Sequence, residues 1–211
     1  MTAPRSLSAT DVLVAVDVQN DFCPGGRLAV PAGDEVVRPI NALIEHFAHV
    51  VLTQDWHPPG HRSFASSHPG AKPYDIVQMP YGDQTLWPDH CLQGSPGAAL
   101  RSDLKAEKAE LVVRKGYHRE IDSYSAFFEN DRTTPTGLGG YLRERGFRRV
   151  FLAGLAFDFC VRWSAEDAHR LGFEVVVLAD ACRALDIEGS AAATRKALAI
   201  AGVEIGASAS V

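Results

Sequence analysis

The chain has 211 residues, of which 46% are hydrophobic and 22% charged, and its formal net charge at pH 7 is −5. A chain of this length buries enough apolar surface to fold without disulfides or a structural metal. The 26 acidic residues outnumber the 21 basic ones, and this balance excludes the basic surface typical of nucleic-acid-binding proteins. We therefore expect a globular protein with no nucleic-acid partner.

The first half of the chain is predicted to form strand, helix and strand, followed by a long loop. Strands are expected at residues 12–16 and 50–53, with a helix at about 34–49 whose apolar residues share one face. Pro39 should kink this helix or mark a later start, because proline lacks the backbone N–H. Residues 54–96 are rich in Pro, Gly, His and Trp. An irregular segment of that length is usually functional.

The second half alternates strands with helices that end at a glycine, the residue that best adopts the left-handed conformation stopping a helix. Its strands are predicted at residues 111–113, 147–153 and 173–179 and from Val203. Apolar strands that alternate with helices indicate a mostly parallel sheet covered on both faces. We therefore predict one domain over residues 1–211, an α/β fold that forms a three-layer α/β/α sandwich with about six strands.

The four cysteines show neither a Cys-x-x-Cys pair nor zinc-ribbon spacing; they are Cys23, Cys91, Cys160 and Cys182. The first ten residues lack the apolar core of a signal peptide. Apolar stretches such as 150–157 are too short to span a bilayer. We expect a cytoplasmic protein with reduced thiols and no membrane partner. The roles of Cys23, Cys91 and Cys182 stay open, as does assembly into a homo-oligomer.

Four polar residues stand where predicted strands end, and each has a side chain that can do chemistry. These residues are Asp17, Asp55, Lys115 and Cys160. The carboxyl ends of parallel strands share one edge of a sheet, which is where ligands bind in such folds. The sequence therefore predicts that an acid, a candidate metal ligand, an amine and a thiol meet at one edge, as a nucleophilic hydrolase requires.

Cys160 is the candidate nucleophile among these residues. It lies in the first turn of a helix predicted over residues 160–171, with Asp158 as the N-cap. The positive end of a helix and its free N–H groups favour the thiolate and can hold an oxyanion. The alternative is a buried structural cysteine.

Asp17 is the candidate acid and base. Its carboxylate could take the thiol proton and return it to a leaving group. Lys115 would keep Asp17 ionised and help the thiol to lose its proton. The alternatives are a capping or turn aspartate and an exposed lysine. Asp21 could compete with Asp17, although it already lies in the loop beyond the strand.

A candidate metal site and a candidate ring pocket lie in the same loops. Asp55 and His57 alternate, so in an extended chain both side chains face one direction, and His90 and His61 offer further imidazoles. One carboxylate with imidazoles suits Zn²⁺, Fe²⁺ or Mn²⁺, although surface histidines are the simpler alternative. Aromatic side chains could wall a pocket for a flat ring or simply be core residues; they are Phe22, Trp87 and Tyr124.

Taken together, these motifs resemble the nicotinamidase branch of the isochorismatase-like cysteine hydrolases. The segments that carry the resemblance, in chain order, are 16–22, 53–58, 87–91, 115–116, 122–128 and 154–161. The resemblance implies a catalytic triad of Asp17, Lys115 and Cys160. It also implies that the backbone N–H groups of Ala156 and Cys160 form an oxyanion hole, and that a cis peptide bond before Ala156 directs them toward the oxyanion. It implies a metal held by Asp55, His57 and His90. His61 is a further candidate, although its spacing from His57 differs from that in some members.

The resemblance also implies the reaction. Nicotinamide and water would give nicotinate and ammonia, a step of NAD salvage, through a Cys160 thioester, and pyrazinamide should also be a substrate. Phe22, Trp87 and Tyr124 would enclose the ring, and one divalent metal ion, zinc first with iron or manganese as alternatives, would orient it. A superfamily amidase for a carbamoyl or ureido compound is the nearest alternative, and a non-catalytic metal-binding protein is another. Members that cleave isochorismate lack the cysteine, so Cys160 argues against that activity.

Overall fold

The computed structural model describes residues 6–211 and contains eight strands. These are β1 (Asp11–Val16), β2 (Val50–Asp55), β3 (Ile76–Met79), β4 (Gly82–Thr85), β5 (Leu111–Lys115), β6 (Arg149–Gly154), β7 (Glu174–Cys182) and β8 (Glu204–Gly206). Six of them form one sheet in the order β5-β2-β1-β6-β7-β8, and every neighbouring pair in it is parallel. The other two, β3 and β4, form a separate antiparallel hairpin.

Helices cover both faces of the six-stranded sheet. They are α1 (Val37–His46), α2 (Leu138–Glu144), α3 (Arg162–Arg170) and α4 (Ser190–Ala201). Alternate residues of β1 belong to two apolar clusters, Leu13 on the side of α1 and Val12 on the side of the other three helices. The predicted three-layer sandwich with a parallel sheet of about six strands is therefore confirmed.

The bounds of several elements differ from the predicted ones. A 3₁₀ turn at Gly33–Val36 precedes α1, so Pro39 falls in the first helical turn, where its missing N–H costs little. Strands β2 and β5 continue through Asp55 and Lys115, which are the last residues of these strands and not the first of the loops. The segment predicted to be an irregular loop contains the β3–β4 hairpin. Its four-residue strands are too short, and too exposed, to show a clear hydrophobic pattern.

Two predictions concern the chain as a whole. The interpretation of residues 1–211 as a single domain stays a prediction. No signal peptide was expected in residues 1–10, and residues 1–5 of that segment lie outside the described residues. Within residues 6–211, no helix combines the length and the apolar character that crossing a membrane requires.

Asp11 fixes the start of β1 to the neighbouring strand β6. Its carboxylate accepts hydrogen bonds from Arg149 Nε at 3.0 Å and Nη2 at 2.6 Å, and from the Ser8 N–H at 2.7 Å. Burial raises the pKa of Asp11, but the bonds to Arg149 and Ser8 outweigh this effect and lower it overall. The folded state is therefore stabilised by the ionised form of Asp11.

We expect Asp11→Asn to lower the free energy of unfolding at neutral pH by about 1–3 kcal/mol, because a charge-assisted pair is lost. A lowered pKa stabilises the protein above the unfolded value of about 4, and this stabilisation disappears as the pH falls through the folded value. Urea denaturation at a series of pH values from neutral to acidic should therefore show the free energies of unfolding of the two proteins converging at acidic pH. The exposed Asp83→Asn is the control, and a difference that does not depend on pH would contradict this account.

Candidate active site

Lys115, at the end of β5, is the centre of a buried cluster of reactive groups. Its Nζ lies 2.9 Å from Asp17 Oδ2, 2.5 Å from Asp55 Oδ1 and 3.5 Å from Cys160 Sγ. It also donates to the carbonyl oxygen of Ser123 at 2.8 Å. The side chains of Lys115 and Asp17 are fully buried, with 0% exposure. The structure thus brings together the four residues predicted to meet at the strand ends.

Asp17 is held in place by Thr53 of β2. The Thr53 hydroxyl accepts the Asp17 N–H at 3.0 Å and donates to Asp17 Oδ1 at 2.5 Å. Asp17 has a φ of +48°, in the left-handed region that residues with a side chain seldom adopt and that is enriched at active sites. Thr53 is not among the site residues predicted from the sequence. Its two-residue spacing from Asp55 on one strand was the signal that could have placed it on the same face.

The protonation states of the cluster follow from burial and from the lysine charge. Burial lowers the pKa of Lys115, but Asp17 and Asp55 outweigh it and raise this pKa well above its usual range, so the ammonium stays charged. Burial raises the pKa of Asp17; Lys115 opposes this effect and Asp55 adds to it. An aspartate with a raised pKa is a better proton acceptor than an ordinary one.

Cys160 does not have the low pKa that a helix start was expected to give it. Burial raises the pKa of its thiol well above the usual range, Lys115 opposes this, and Asp17 adds to it. The residue lies in a π-helical turn, Phe157–Val161, one turn ahead of α3. The thiol therefore keeps its proton, with the Asp17 carboxylate within 4.8 Å of the sulfur as an acceptor.

Asp158 is not the N-cap that the sequence indicated. Its carboxylate accepts hydrogen bonds from the N–H groups of Leu185 and Asp186, at 3.1 and 2.8 Å, and from the Ser190 hydroxyl at 2.5 Å. It therefore fastens the loop before α4 to the turn that carries Cys160. The peptide bond between Leu155 and Ala156 is cis, as the resemblance implied.

Three of the predicted metal ligands point their free atoms at one another. Asp55 Oδ2 lies 3.6 Å from His57 Nε2 and 3.8 Å from His90 Nε2. Each histidine has its Nδ1 atom 2.8 Å from a backbone carbonyl, of Gly116 for His57 and of Pro88 for His90. Such bonds orient a ligating imidazole and fix which nitrogen faces the metal.

These three residues fit a divalent cation. His57 Nε2 is buried without a hydrogen-bond partner, which is costly unless an ion or another group meets it. Burial raises the pKa of Asp55, but Lys115 and His57 outweigh it and lower this pKa well below its usual range, so the carboxylate is ionised. One carboxylate with two imidazoles is a donor set that zinc, iron and manganese accept.

Two residues that sequence analysis missed, a glutamine and a glycine, support these ligands. Gln19 donates to the carbonyl oxygen of Asp55 at 2.9 Å and accepts the Asp55 N–H at 2.8 Å. Gly116 has a φ of +65°, and a Cβ placed there would lie 2.4 Å from the ring of His57. Both contacts join distant segments, so no local pattern indicated them.

His61 lies beside this set and outside it. Its ring centre is 4.4 Å from that of His57. Its Nδ1 atom lies 2.7 Å from the Ser63 hydroxyl and its Nε2 atom 3.2 Å from the Ile121 carbonyl oxygen, so both nitrogens have partners. Burial lowers the pKa of His61 to about 4, which leaves the ring neutral. His61 shares a group of possible ligand atoms with His57 and Asp122. It does not share one with Asp55 and His90.

A narrow cavity joins the thiol, two of the candidate metal ligands and the predicted aromatic residues. Its lining residues are Phe22, Leu28, Asp55, Trp87, His90, Asp122, Tyr124, Ala156, Phe159, Cys160 and Leu185. Phe159, which sequence analysis did not assign, packs edge-on against Trp87 at 5.0 Å and Tyr124 at 5.6 Å between ring centres. Its position next to Cys160 was the available signal. Aromatic walls of this kind suit a flat ring placed beside the sulfur.

Comparison with known proteins gives consistent matches. The isochorismatase domain model matches residues 11–208. A nicotinamidase of Acinetobacter baylyi is 54% identical over 178 residues, covering 84% of this chain and 83% of that protein. The structure of an Acinetobacter baumanii nicotinamidase and pyrazinamidase superposes with a TM-score of 0.95 at 48% identity, covering 97% of this chain and 99% of that one.

A more distant solved structure is that of a Pyrococcus horikoshii pyrazinamidase in complex with zinc. It is 34% identical, has a TM-score of 0.76, and the match covers 94% of this chain and 99% of that chain. The isochorismatase domain model matches nearly all the described residues. The similarity to these relatives extends over most of each chain. The chain therefore belongs to the isochorismatase domain family.

Proposed function

We propose that this protein hydrolyses nicotinamide to nicotinate and ammonia, with Cys160 as the covalent nucleophile. The observation that carries the proposal is one cavity that holds a thiol, aromatic walls and two of the three candidate metal ligands. The chain is an enzyme of the carboxamide-hydrolysing type, as its similarity to named nicotinamidases indicates. Nicotinamide has the features that such a cavity selects, a flat ring with a carboxamide on it.

The first half of the proposed reaction forms a thioester. The Cys160 sulfur attacks the amide carbonyl carbon as its proton passes to Asp17, and the Lys115 ammonium stabilises the negative charge on the sulfur. The backbone N–H groups of Ala156 and Cys160, both cavity-lining residues, stabilise the oxyanion. Asp17 then returns the proton to the departing nitrogen, and the carbon–nitrogen bond breaks to release ammonia.

The second half releases the acid. Asp17, again ionised, takes a proton from water, and the hydroxide equivalent attacks the thioester carbonyl. The carbon–sulfur bond breaks, and the proton returns to Cys160. The sum of the two halves is nicotinamide plus water giving nicotinic acid plus ammonia, and the acid proton passes to ammonia, so that nicotinate and ammonium leave. Asp17 thus acts twice as base and acid, which suits its raised pKa.

The ring is proposed to lie among Phe22, Trp87 and Tyr124. Asp55, His57 and His90 would hold one divalent cation, zinc first with iron or manganese as alternatives. When bound, this cation supplies a positive anchor for the ring nitrogen, and the residues around it orient the carboxamide toward Cys160. Pyrazinamide, whose ring differs by one nitrogen, should occupy the same position.

The proposed substrate is tested by measuring ammonia release from a panel of small amides. We expect turnover of nicotinamide and pyrazinamide and none of carbamoyl or ureido compounds, because the aromatic walls favour a flat ring. Cys160→Ala should reduce ammonia release at least about a thousandfold, as loss of a covalent nucleophile does, while nicotinamide still binds.

The buried Cys23→Ala is the matched control for this variant, since Cys23 belongs to the apolar core and does not line the cavity. It should keep its turnover. Preference for a ureido compound would replace the proposed substrate. Turnover in Cys160→Ala above the background given by the metal ion alone would exclude the covalent mechanism.

Metal removal should weaken substrate binding more than it slows the chemistry of bound substrate. The reason is that the candidate ligands orient the ring, whereas Asp17 and Cys160 carry the bond changes. We expect a chelated protein to show a higher Kd for nicotinamide by calorimetry, with kcat at saturation changed less. Unchanged affinity in the chelated protein would remove the orienting role.

Metal content provides the control that does not depend on activity. Elemental analysis should show that His90→Ala loses the bound ion. His61→Ala should keep it, because both nitrogens of His61 already have partners within the protein. If the His61→Ala protein lost the metal ion, His61 would have to be counted among the metal ligands.

A further inference from the structure

Gln84 is a buried polar residue of the β3–β4 hairpin that the proposed mechanism does not use. Its side chain is 0% exposed, whereas Gly82, Asp83 and Thr85, the other residues of β4, are partly or fully exposed. A buried carboxamide is retained only where hydrogen bonds satisfy its donors and acceptor. The partners of Gln84 therefore indicate what the hairpin holds.

The Gln84 side chain reaches two residues of the cavity wall. Its Nε2 atom donates to Asp122 Oδ2 at 2.8 Å and lies 3.0 Å from the Tyr124 hydroxyl. The Thr85 carbonyl oxygen, at 2.7 Å, is a further acceptor for the same amino group. Both Asp122 and Tyr124 line the cavity that contains Cys160.

The orientation of the amide follows from its surroundings. The opposite orientation would place the Gln84 oxygen against the carboxylate of Asp122, where two acceptors would repel each other. In the observed orientation, Oε1 accepts hydrogen bonds from Asn130 Nδ2 at 3.1 Å and from the Tyr81 hydroxyl at 3.2 Å. Hydrogen bonds therefore hold both the oxygen and the nitrogen of the Gln84 amide.

Residues 122–124 are held from two directions. Gln84 binds the side chains of Asp122 and Tyr124. Asn130 binds their backbone, donating its own N–H to the Asp122 carbonyl at 2.7 Å and accepting the Tyr124 N–H at 3.0 Å. Between them, the Ser123 carbonyl accepts the Lys115 ammonium at 2.8 Å. The hairpin is thus linked to both the ring pocket and the charged cluster.

We infer that Gln84 is a positioning residue that fixes Asp122 and Tyr124 on the cavity wall and so sets the fit of the substrate ring. This inference rests on the proposed function, in which Tyr124 contacts the ring. Without the amide, the buried Asp122 oxygen loses its donor and the Tyr124 hydroxyl loses a partner, so the wall relaxes away from the ring. Among the described residues, Gln84 forms no hydrogen bond with a member of the triad. Its one link to Lys115 runs through the Ser123 carbonyl, whose neighbours Asn130 still holds, so the effect on the ring should exceed the effect on the triad.

Steady-state kinetics of Gln84→Met with nicotinamide test this inference. We expect KM to rise about tenfold or more while kcat stays within about threefold, since the hydrogen bonds that the substitution removes shape the ring pocket and not the triad. Gln78→Met is the matched control, because Gln78 is an exposed glutamine of the same hairpin. A KM within about twofold of the parent, or a loss of kcat alone, would overturn the inference.

A second measurement needs no substrate and therefore separates this inference from the proposed function. The chain has five tyrosines, so ¹³C-labelled tyrosine rings can be resolved by NMR and Tyr124 assigned with Tyr124→Phe. The Tyr124 signal should shift in Gln84→Met and not in Gln78→Met; an unmoved signal would overturn the inference even if the parent turned over another amide. If Gln84→Met does not fold, Gln84→Asn, which keeps the amide on a shorter stem, should give a smaller shift and a smaller rise in KM, and no change in either would again overturn it.

Discussion

The structure depends on one buried ion, the ammonium of Lys115. Its nitrogen lies within 3.5 Å of side-chain atoms of Asp17, Asp55 and Cys160, and the side chains of Lys115 and Asp17 have no exposed surface. Two carboxylates this close would not both stay ionised without a cation between them, because each would raise the pKa of the other. Burying the ammonium alone would be equally unfavourable. The lysine and the two acids are therefore stable only as a set, and the fold has to bring β1, β2 and β5 side by side to make it.

The same ammonium lets two chemically identical side chains take different roles. Asp17 has a raised pKa, because burial outweighs the single lysine charge. Asp55 has a strongly lowered pKa, because Lys115 and His57 together outweigh its burial. An acid that can carry a proton suits acid–base work, and one that stays ionised suits a metal. The proposed separation of proton transfer from ring binding thus follows from two environments on adjacent strands.

Much of the fold and part of the site could be predicted from the sequence, because they follow from local patterns. Apolar strands that alternate with helices ending in glycine predicted the parallel sheet, and polar residues at the strand ends predicted the cluster around Lys115. The spacing of Thr53 from Asp55 could have placed it on the same face of β2, but its bond to Asp17, 36 positions away, has no local pattern. Gln84 could not be predicted, since its role depends on a contact with Asp122, 38 positions away. The low thiol pKa expected for Cys160 was wrong because burial and the neighbouring carboxylate outweigh the effect of a helix start.

The central claim is that the Lys115 charge makes attack by Cys160 possible. Rapid quenching followed by mass spectrometry of the Cys160 peptide tests it most directly, with the parent protein and Lys115→Met mixed with nicotinamide and the folding of both checked by circular dichroism. The account predicts an acyl group on Cys160 of the parent and none on the folded Lys115→Met protein in the same time. Equal acylation of the two proteins would contradict it.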